Sequence, residues 1–556
     1  MNQADEPHMT RKYLPLNGPV IAVSVLLLIW LAVLARFYSL PFYMDSLYTV
    51  GAGARLAHMG HFSSTFMLYG LINPFIEEVL LIAGLGSMAP FLLRIFQFVM
   101  VGAGFFFLYL TSRTISRGEN RKAVLLSIAA AVLSSTIMLI ESFELTPETS
   151  MFLMISILMF TLTTYRPCLP HAVMLGTILA LLIGTRPTAL VLAFPMVMVL
   201  PEKFSEARFA SCFWRWSLFA IAVLSAVISG FPGWISTSAL ISIGTVTAIL
   251  ITVFAAALDC RKRHCRFWTH LFVILLVFPV ILFILFPHYF LYHAEFFRQL
   301  EAYHLDIEQP IGSLTMFFGN AGLGFMNLFL VFTGPLAATG LFAGLGFLLS
   351  DRSYFRRYRL LILFAAGLLP FFLLVMRNTN LQPRYLIPLL GPFFILSAGG
   401  LKLLWNSRRI RILLAIPLLM SLFQLTEVVR YKHRGGILNA LRHLGELKPN
   451  EVLIPSMTPF DPQYYSEEDN VRWPLVPFFD DHLPIWEETT PDYLICSGAV
   501  PEGYEIVRSF GDSDEVISIM VRGSAHPGWA NALYLMRSPW KWRNWGIVHI
   551  CIRPGQ

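Results

Sequence analysis

The chain has 556 residues, of which 56% are hydrophobic and only 13% charged, with a formal net charge of +7. One aqueous core cannot hide that share of apolar side chains, so an ordinary soluble enzyme is excluded. The positive charge lies beside the apolar runs and not in a separate basic module, which argues against nucleic-acid binding.

A bilayer span needs about 20 apolar residues. About thirteen segments qualify: 19–36, 89–111, 122–140, 148–164, 171–185, 188–201, 214–231, 236–258, 268–287, 323–350, 359–376, 385–405 and 410–426. The pair 171–185 and 188–201 is short, and reads either as one interrupted segment or as two helices that do not fully cross. Lys and Arg crowd every second connection: 113–122, 203–215, 261–266, 352–359 and 408–411. Short basic connections stay in the cytoplasm. All five fall there if the N-terminus, with Arg11 and Lys12, is cytoplasmic, and the C-terminus then lies outside. No small-residue cleavage site follows the first span, so it reads as a retained anchor.

The first external connection, 37–88, opens on Tyr43-Met44-Asp45. A helix-like run, 46–59, ends at Gly60, a suitable C-cap. A second run, 75–84, sets Glu77 and Glu78 beside Val79-Leu80-Leu81-Ile82, a mix that suits a helix lying in the interface. Asp45 itself has two readings. It could cap the helix that follows, or it could be a general base that takes a proton from an attacking hydroxyl.

Arg94 follows Leu92-Leu93 near the outer end of the second span. Glu141, Glu144 and Glu148 cluster where the third span emerges and the fourth begins. Thr146-Pro147 is a good helix start, and the helix dipole favours Glu148 in the first turn. Three carboxylates at a span end are nevertheless costly unless they meet water, a cation or a substrate. Arg186 sits in Gly184-Thr185-Arg186-Pro187, and Arg384 in Gln382-Pro383-Arg384-Tyr385. External arginines run against the orientation rule. Each could snorkel to lipid headgroups, but guanidinium forks also bind phosphate through paired hydrogen bonds.

No nucleotide-binding loop or Gly-x-Ser-x-Gly nucleophile is present. Cys260, His264 and Cys265 lack a fourth ligand for zinc. The stretch 288–320 is rich in Tyr, Phe and His, which read as interface residues. The tail, 427–556, turns to Asp, Glu, Pro and Trp. It mixes a helical run (436–446) with strand-like runs at 451–454, 492–496, 504–507 and 516–521, the pattern of a small α/β domain. Its Cys496 and Cys551 could form a disulfide or remain thiols. Its Trp540, Trp542 and Trp545, interleaved with Lys541 and Arg543, could stack on sugars or anchor the tail to headgroups.

The order of these pieces resembles the GT-C superfamily of membrane glycosyltransferases, which includes protein O-mannosyltransferases and lipid A aminoarabinose transferases. The likeness covers about 20–430. Tyr43-Met44-Asp45-Ser46-Leu47-Tyr48 through Gly60-His61-Phe62 resembles the family's first external loop. Leu92-Leu93-Arg94-Ile95 resembles the opening of its second span. Glu144-Leu145-Thr146-Pro147-Glu148 resembles its acidic turn, Gly184-Thr185-Arg186-Pro187 its Thr-Arg-Pro break, and Pro383-Arg384-Tyr385-Leu386 the start of a late span. Two pieces depart: Asp45-Ser46 stands where many relatives have Asp-Glu, and Asn73-Pro74-Phe75 replaces the usual Pro-Pro-Leu-Tyr-Tyr.

The resemblance implies an all-α polytopic membrane protein with interfacial helices in its first external loop. A catalytic transmembrane domain would span 1–426 and a small external α/β domain 427–556. The implied reaction moves a sugar from a polyprenyl-phosphate donor to an acceptor hydroxyl on a lipid, glycan or protein, with inversion, at the outer face of a bacterial inner or plasma membrane. Asp45 would be the base. Arg94, Arg186 and Arg384 would hold the donor phosphate. Glu144, Glu148, Tyr48 and Tyr385 would bind substrate or supply a second acidic group. No spacing demands a metal, although Asp45, Glu144 and Glu148 could hold a divalent cation. The rival readings are a multipass transporter, which would place its charges at mid-bilayer, and an O-antigen-type polymerase or ligase.

Overall fold

The computed structural model describes residues 17–37, 89–116, 119–143, 147–185, 193–204, 265–285, 333–368 and 387–430, isolated positions at 79, 82, 83 and 443, and five short strands between 452 and 552. Up to 430 the described chain is mostly helical. In order come α1 (Asn17–Phe37), α2 (Ala89–Ile115), α3 (Arg121–Leu133), α4 (Thr136–Phe143), α5 (Pro147–Thr164), α6 (Leu169–Thr185), α7 (Ala193–Val199), a 3₁₀ turn (Leu200–Phe204), α8 (Cys265–Leu285), α9 (Pro335–Ser350), α10 (Arg352–Gly367), α11 (Ile387–Asn406), α12 (Arg408–Leu413) and α13 (Ala415–Arg430).

Three of these are long and apolar enough to cross a membrane: α1, α2 and α11. Shorter apolar helices cover 148–164, 169–185, 269–285, 335–350 and 410–426. The expected spans 214–231 and 236–258 lie outside the described residues, as does the first external loop apart from positions 79, 82 and 83. One expected span is broken. The segment 122–140 is two helices, because Ser134 and Ser135 turn their backbone amides back on Ala130 and Val132 and the Ser134 hydroxyl takes the carbonyl of Ala131. That local bonding competes with the regular helical ladder. The segment 410–426 stays an apolar helix with a local turn at Leu414, whose amide keeps the four-back bond to Ile410.

Around the short pair at 171–201 the chain leaves one level of the bundle and returns to it. α6 runs away from Tyr165 for about 25 Å. By Phe204 the chain has come back, with the Phe204 ring 6.2 Å from Tyr165 and 5.2 Å from His270. Lys203 donates to the carbonyl of Thr163 at 2.6 Å.

Burial separates the centre from the rim. Of the span within α1, 28% is buried, against 39% for α2 and 67% for α11, so α11 is the central post. It packs on α9, α3, α5, α2 and α10. α1 turns Ala22, Leu26, Trp30 and Val33 inward, a helical stripe, and leaves Ile21, Leu28 and Leu31 exposed. α8 likewise exposes Phe272, Leu276, Phe283 and Ile284. Water would penalise such a surface, whereas hydrocarbon does not. Hydroxyls inside the helices bond to the carbonyl four residues back, as at Thr111, Ser127, Ser156 and Thr163, which satisfies them without a solvent partner.

The α9–α11 contact is made close by small residues. Gly340 and Gly344, four apart, meet Gly400 so tightly that a Cβ on Gly400 would stand 2.0 Å from the Gly340 carbonyl oxygen. Ser397 donates across the seam to the Ala337 carbonyl at 2.7 Å. This is the small-xxx-small packing that apolar surroundings favour.

In the tail, five strands form one sheet, ordered β2 (Val471–Arg472), β1 (Val452–Leu453), β3 (Tyr493–Ser497), β5 (Val548–Ile552) and β4 (Glu505–Phe510). β1 runs parallel to β2 and β3, while β5 is antiparallel to β3 and β4. The expected strands at 451–454, 492–496 and 504–507 coincide with β1, β3 and β4. That at 516–521 lies outside the described residues. The register sets Cys551 opposite Leu494 and Cys496 opposite His549. The two positions are therefore diagonal neighbours on adjacent strands.

Candidate functional site

The directions of the helices follow from a few contacts. Trp30 of α1 donates to the carbonyl of Leu133, the last residue of α3, at 2.9 Å, and its ring lies 6.1 Å from Phe98 near the start of α2, so this part of α1 lies where α3 stops and α2 begins. Gly104 of α2 meets Phe152 of α5, and Leu108 meets Ile155 and Met159 around Gly391 of α11. Phe107 lies 5.8 Å from Phe160. Hence α2 and α5 run parallel. Gly176 of α6 meets Ile274 and Val277 of α8, and Tyr165, just before α6, lies 6.2 Å from His270, earlier in α8, so those two run parallel as well.

One end of the bundle is marked by charge. Glu119, in the turn between α2 and α3, accepts from Arg357 of α10 at 2.6 Å and also pairs with Lys402 of α11. Glu202 takes Arg359 at 2.6 Å. Tyr354 and Tyr358 stack at 4.4 Å and 26° beside this cluster. Burial, with Glu119 nearby, pushes both phenols well above the usual tyrosine range. They remain neutral, and the carboxylates hold the structural charge. We call this the basic end. It clasps α10 and α11 to the α2–α3 turn.

The opposite, or far, end gathers the termini that adjoin the expected site residues. There α1 ends, α2 and α5 begin, α4 and α6 end and α11 begins. Asp45 and Tyr48 follow α1 in the chain, Glu144 joins α4 to α5, Arg186 follows α6, and Arg384 and Tyr385 precede α11. These six residues lie outside the described part of the chain.

Arg94 and Glu148 are described, and both are buried, with 0% and 2% of their surface exposed. From the level where Leu108 meets Ile155 and Met159, Arg94 stands about 21 Å and Glu148 about 13 Å towards the far end. A guanidinium and a carboxylate so enclosed are each costly unless countered by charge or hydrogen bonds. Thr149 and Ser150 are buried beside Glu148, at the start of α5. There the unsatisfied amides and the dipole stabilise a carboxylate.

Gln97 escaped the sequence reading. It is fully buried one helical turn beyond Arg94, so the two share a face of α2. The available signal was a polar side chain set three residues after an arginine in an otherwise apolar run. Among the described residues no three His, Cys, Asp or Glu side chains come together as a metal site would require. A cation held by Asp45, Glu144 and Glu148 involves residues outside that set.

No protein-family model and no curated protein matches the sequence. Among solved structures the chain is similar to the archaeal oligosaccharyltransferase AglB from Archaeoglobus fulgidus, solved in complex with an inhibitory peptide and a dolichol-phosphate. The TM-score is 0.41 at 12% identity, over 79% of this chain and 62% of that one. The chain thus spans less than two thirds of the length of that structure.

Proposed function

We propose that the chain is a membrane glycosyltransferase that moves a sugar from a polyprenyl-phosphate carrier to an acceptor hydroxyl at the far end of the bundle. The observation that carries the reading is the shared end. The helix termini next to Asp45, Arg94, Glu144, Glu148, Arg186 and Arg384 lie on one side of the bundle, and the ion-pair clasp lies on the other. A polyprenyl carrier reaches such a place sideways through lipid, so no nucleotide-binding domain is needed. Asp45 takes the acceptor proton as the hydroxyl oxygen attacks the anomeric carbon, and the bond to the carrier phosphate breaks. Guanidinium groups stabilise the charge gained by the leaving phosphate. Attack opposite the leaving group inverts the anomeric centre. The mixed-sequence tail serves the acceptor side.

The test is transfer from a polyprenyl-phosphate sugar by the purified chain. Asp45→Asn is expected to lower the rate about 10²–10⁴-fold, the usual loss for a general base. Donor binding is expected to persist. Arg384→Ala is expected instead to weaken donor binding. A loss of less than about tenfold in Asp45→Asn would reject Asp45 as the base.

A further inference from the structure

We propose that Arg352 and Arg356, at the start of α10, form a binding site for the phosphate of an anionic phospholipid in the leaflet at the basic end. The inference rests on the chain being embedded in a membrane, not on the transfer reaction. It joins an apolar boundary to a pair of uncommitted charges.

The boundary comes from α9. Phe342, Leu345 and Leu349 recur at spacings of three and four, so they share one helix face, and all are exposed. Leu349 is 91% exposed, one residue before the helix ends at Ser350. After the turn at Asp351, Phe355 is again 44% exposed. An outward apolar stripe that ends at a turn locates the edge of the hydrocarbon. The next charged side chains stand at headgroup level.

The charges come from α10. Arg352, Arg356, Arg357 and Arg359 are all exposed along its first two turns. Arg357 is taken by Glu119 and Arg359 by Glu202, while Lys402 shares Glu119. Asp351 is committed to the helix start, where it accepts from the Ser353 amide at 2.8 Å. Hydrogen bonds from Ser353 hold its carboxyl below the usual range. Among the described residues of α10 and its partners, five cations therefore face three carboxylates, and the surplus falls on Arg352 and Arg356. These two lie one turn apart on the same face, where like charges repel. The spacing lets both guanidinium forks reach one phosphate, while Phe355 and Leu349 meet the acyl chains beneath it. Arg121 and Lys122, also exposed at this end, have one exposed apolar side chain below them, Leu125, and not a stripe that runs to the turn, so they contribute diffuse positive potential.

The full chain in detergent is titrated with phosphatidylglycerol or phosphatidylcholine, and retained lipid is counted by native mass spectrometry. Phosphatidylglycerol is expected to be preferred, and the preference is expected to fall about fivefold for each arginine removed in Arg352→Gln and Arg356→Gln. Both side chains are exposed, so the fold survives, as an unchanged melting temperature will show. The control Arg121→Gln with Lys122→Gln is expected to keep the preference. Equal retention of the two lipids, an unchanged preference in the Arg352 and Arg356 variants, or equal loss in the control would overturn the site. So would full competition by soluble glycerol phosphate, which would make it an aqueous anion site. A failure of sugar transfer would leave this result untouched.

Discussion

Arg94 makes the sharpest demand of any residue in the bundle. A guanidinium with no exposed surface cannot exchange its partners for water when a substitution removes it. Arg94→Ala leaves the groups that countered its charge buried and uncompensated, a loss of about 3–5 kcal/mol in stability. Unfolding in detergent, followed by far-UV circular dichroism, measures it. Arg94→Lys keeps the charge but not the planar fork, and is expected to fall between. An unchanged unfolding midpoint in Arg94→Ala would show that the side chain is solvated, and would favour a direct role in holding phosphate. The sequence alone told that Arg94 stands near a span end, and that it is unusual there. It did not tell the depth, because position along a helix says nothing about which neighbours enclose it. Glu148 was legible for the same reason and to the same extent. Glu119 was not legible at all: between Gly118 and Asn120 in a basic connection it looks like a solvated residue, and only its two cationic partners, hundreds of positions later, give it meaning.

Helices in this chain fail to follow the apolar pattern where chain meets chain at close range. The run 122–140 reads as a single span because hydrophobicity continues across the break. The break is made by the hydroxyls of Ser134 and Ser135 and by a close contact from elsewhere in the chain. Gly334, at a φ of +92°, backs onto the Ser134 carbonyl so closely that a Cβ would stand 2.1 Å away. The same reasoning separates glycines that must be glycine from those that need not be. Gly400→Ala drives a methyl into the Gly340 backbone. The cost of parting α9 from α11 is expected to be at least about 1–3 kcal/mol, as for other overpacked cores. Gly102, on the exposed face of α2, has nothing within 4 Å of an added Cβ. Gly102→Ala is expected to stabilise by about 0.5–1 kcal/mol, since alanine restricts the unfolded chain and favours helix. Parallel melts of the two variants give opposite signs if the seam is as tight as described, and similar small shifts if it is not.

At the scale of the whole molecule, the charge pattern predicts which end faces the cytoplasm and how often the chain crosses. Cys168 gives a natural reporter, because it is exposed and follows α5 at the basic end. Short basic connections mark the cytoplasmic side, so Cys168 is expected there. The topology expected from the basic connections counts 171–201 as two crossings, and the chain is back beside Tyr165 by Phe204. Nine of the expected spans then separate Cys168 from the tail, an odd number, which puts the tail across the membrane. The reporter for the tail is Val507→Cys, on the exposed surface of β4. In a chain whose other cysteines are replaced by serine, Cys168 is expected to react with an impermeant maleimide only after sealed right-side-out membranes are opened. A cysteine at 507 is expected to react before. Reaction of both from one side would mean an even number of crossings between them, so that one of the spans after α5 does not traverse. Exchange of the two outcomes would invert the protein and set the far end, with the helix termini beside Asp45 and Arg384, against the cytosol. A transferase working there would meet nucleotide-activated sugars, and the case for a lipid-borne donor would fall with the topology.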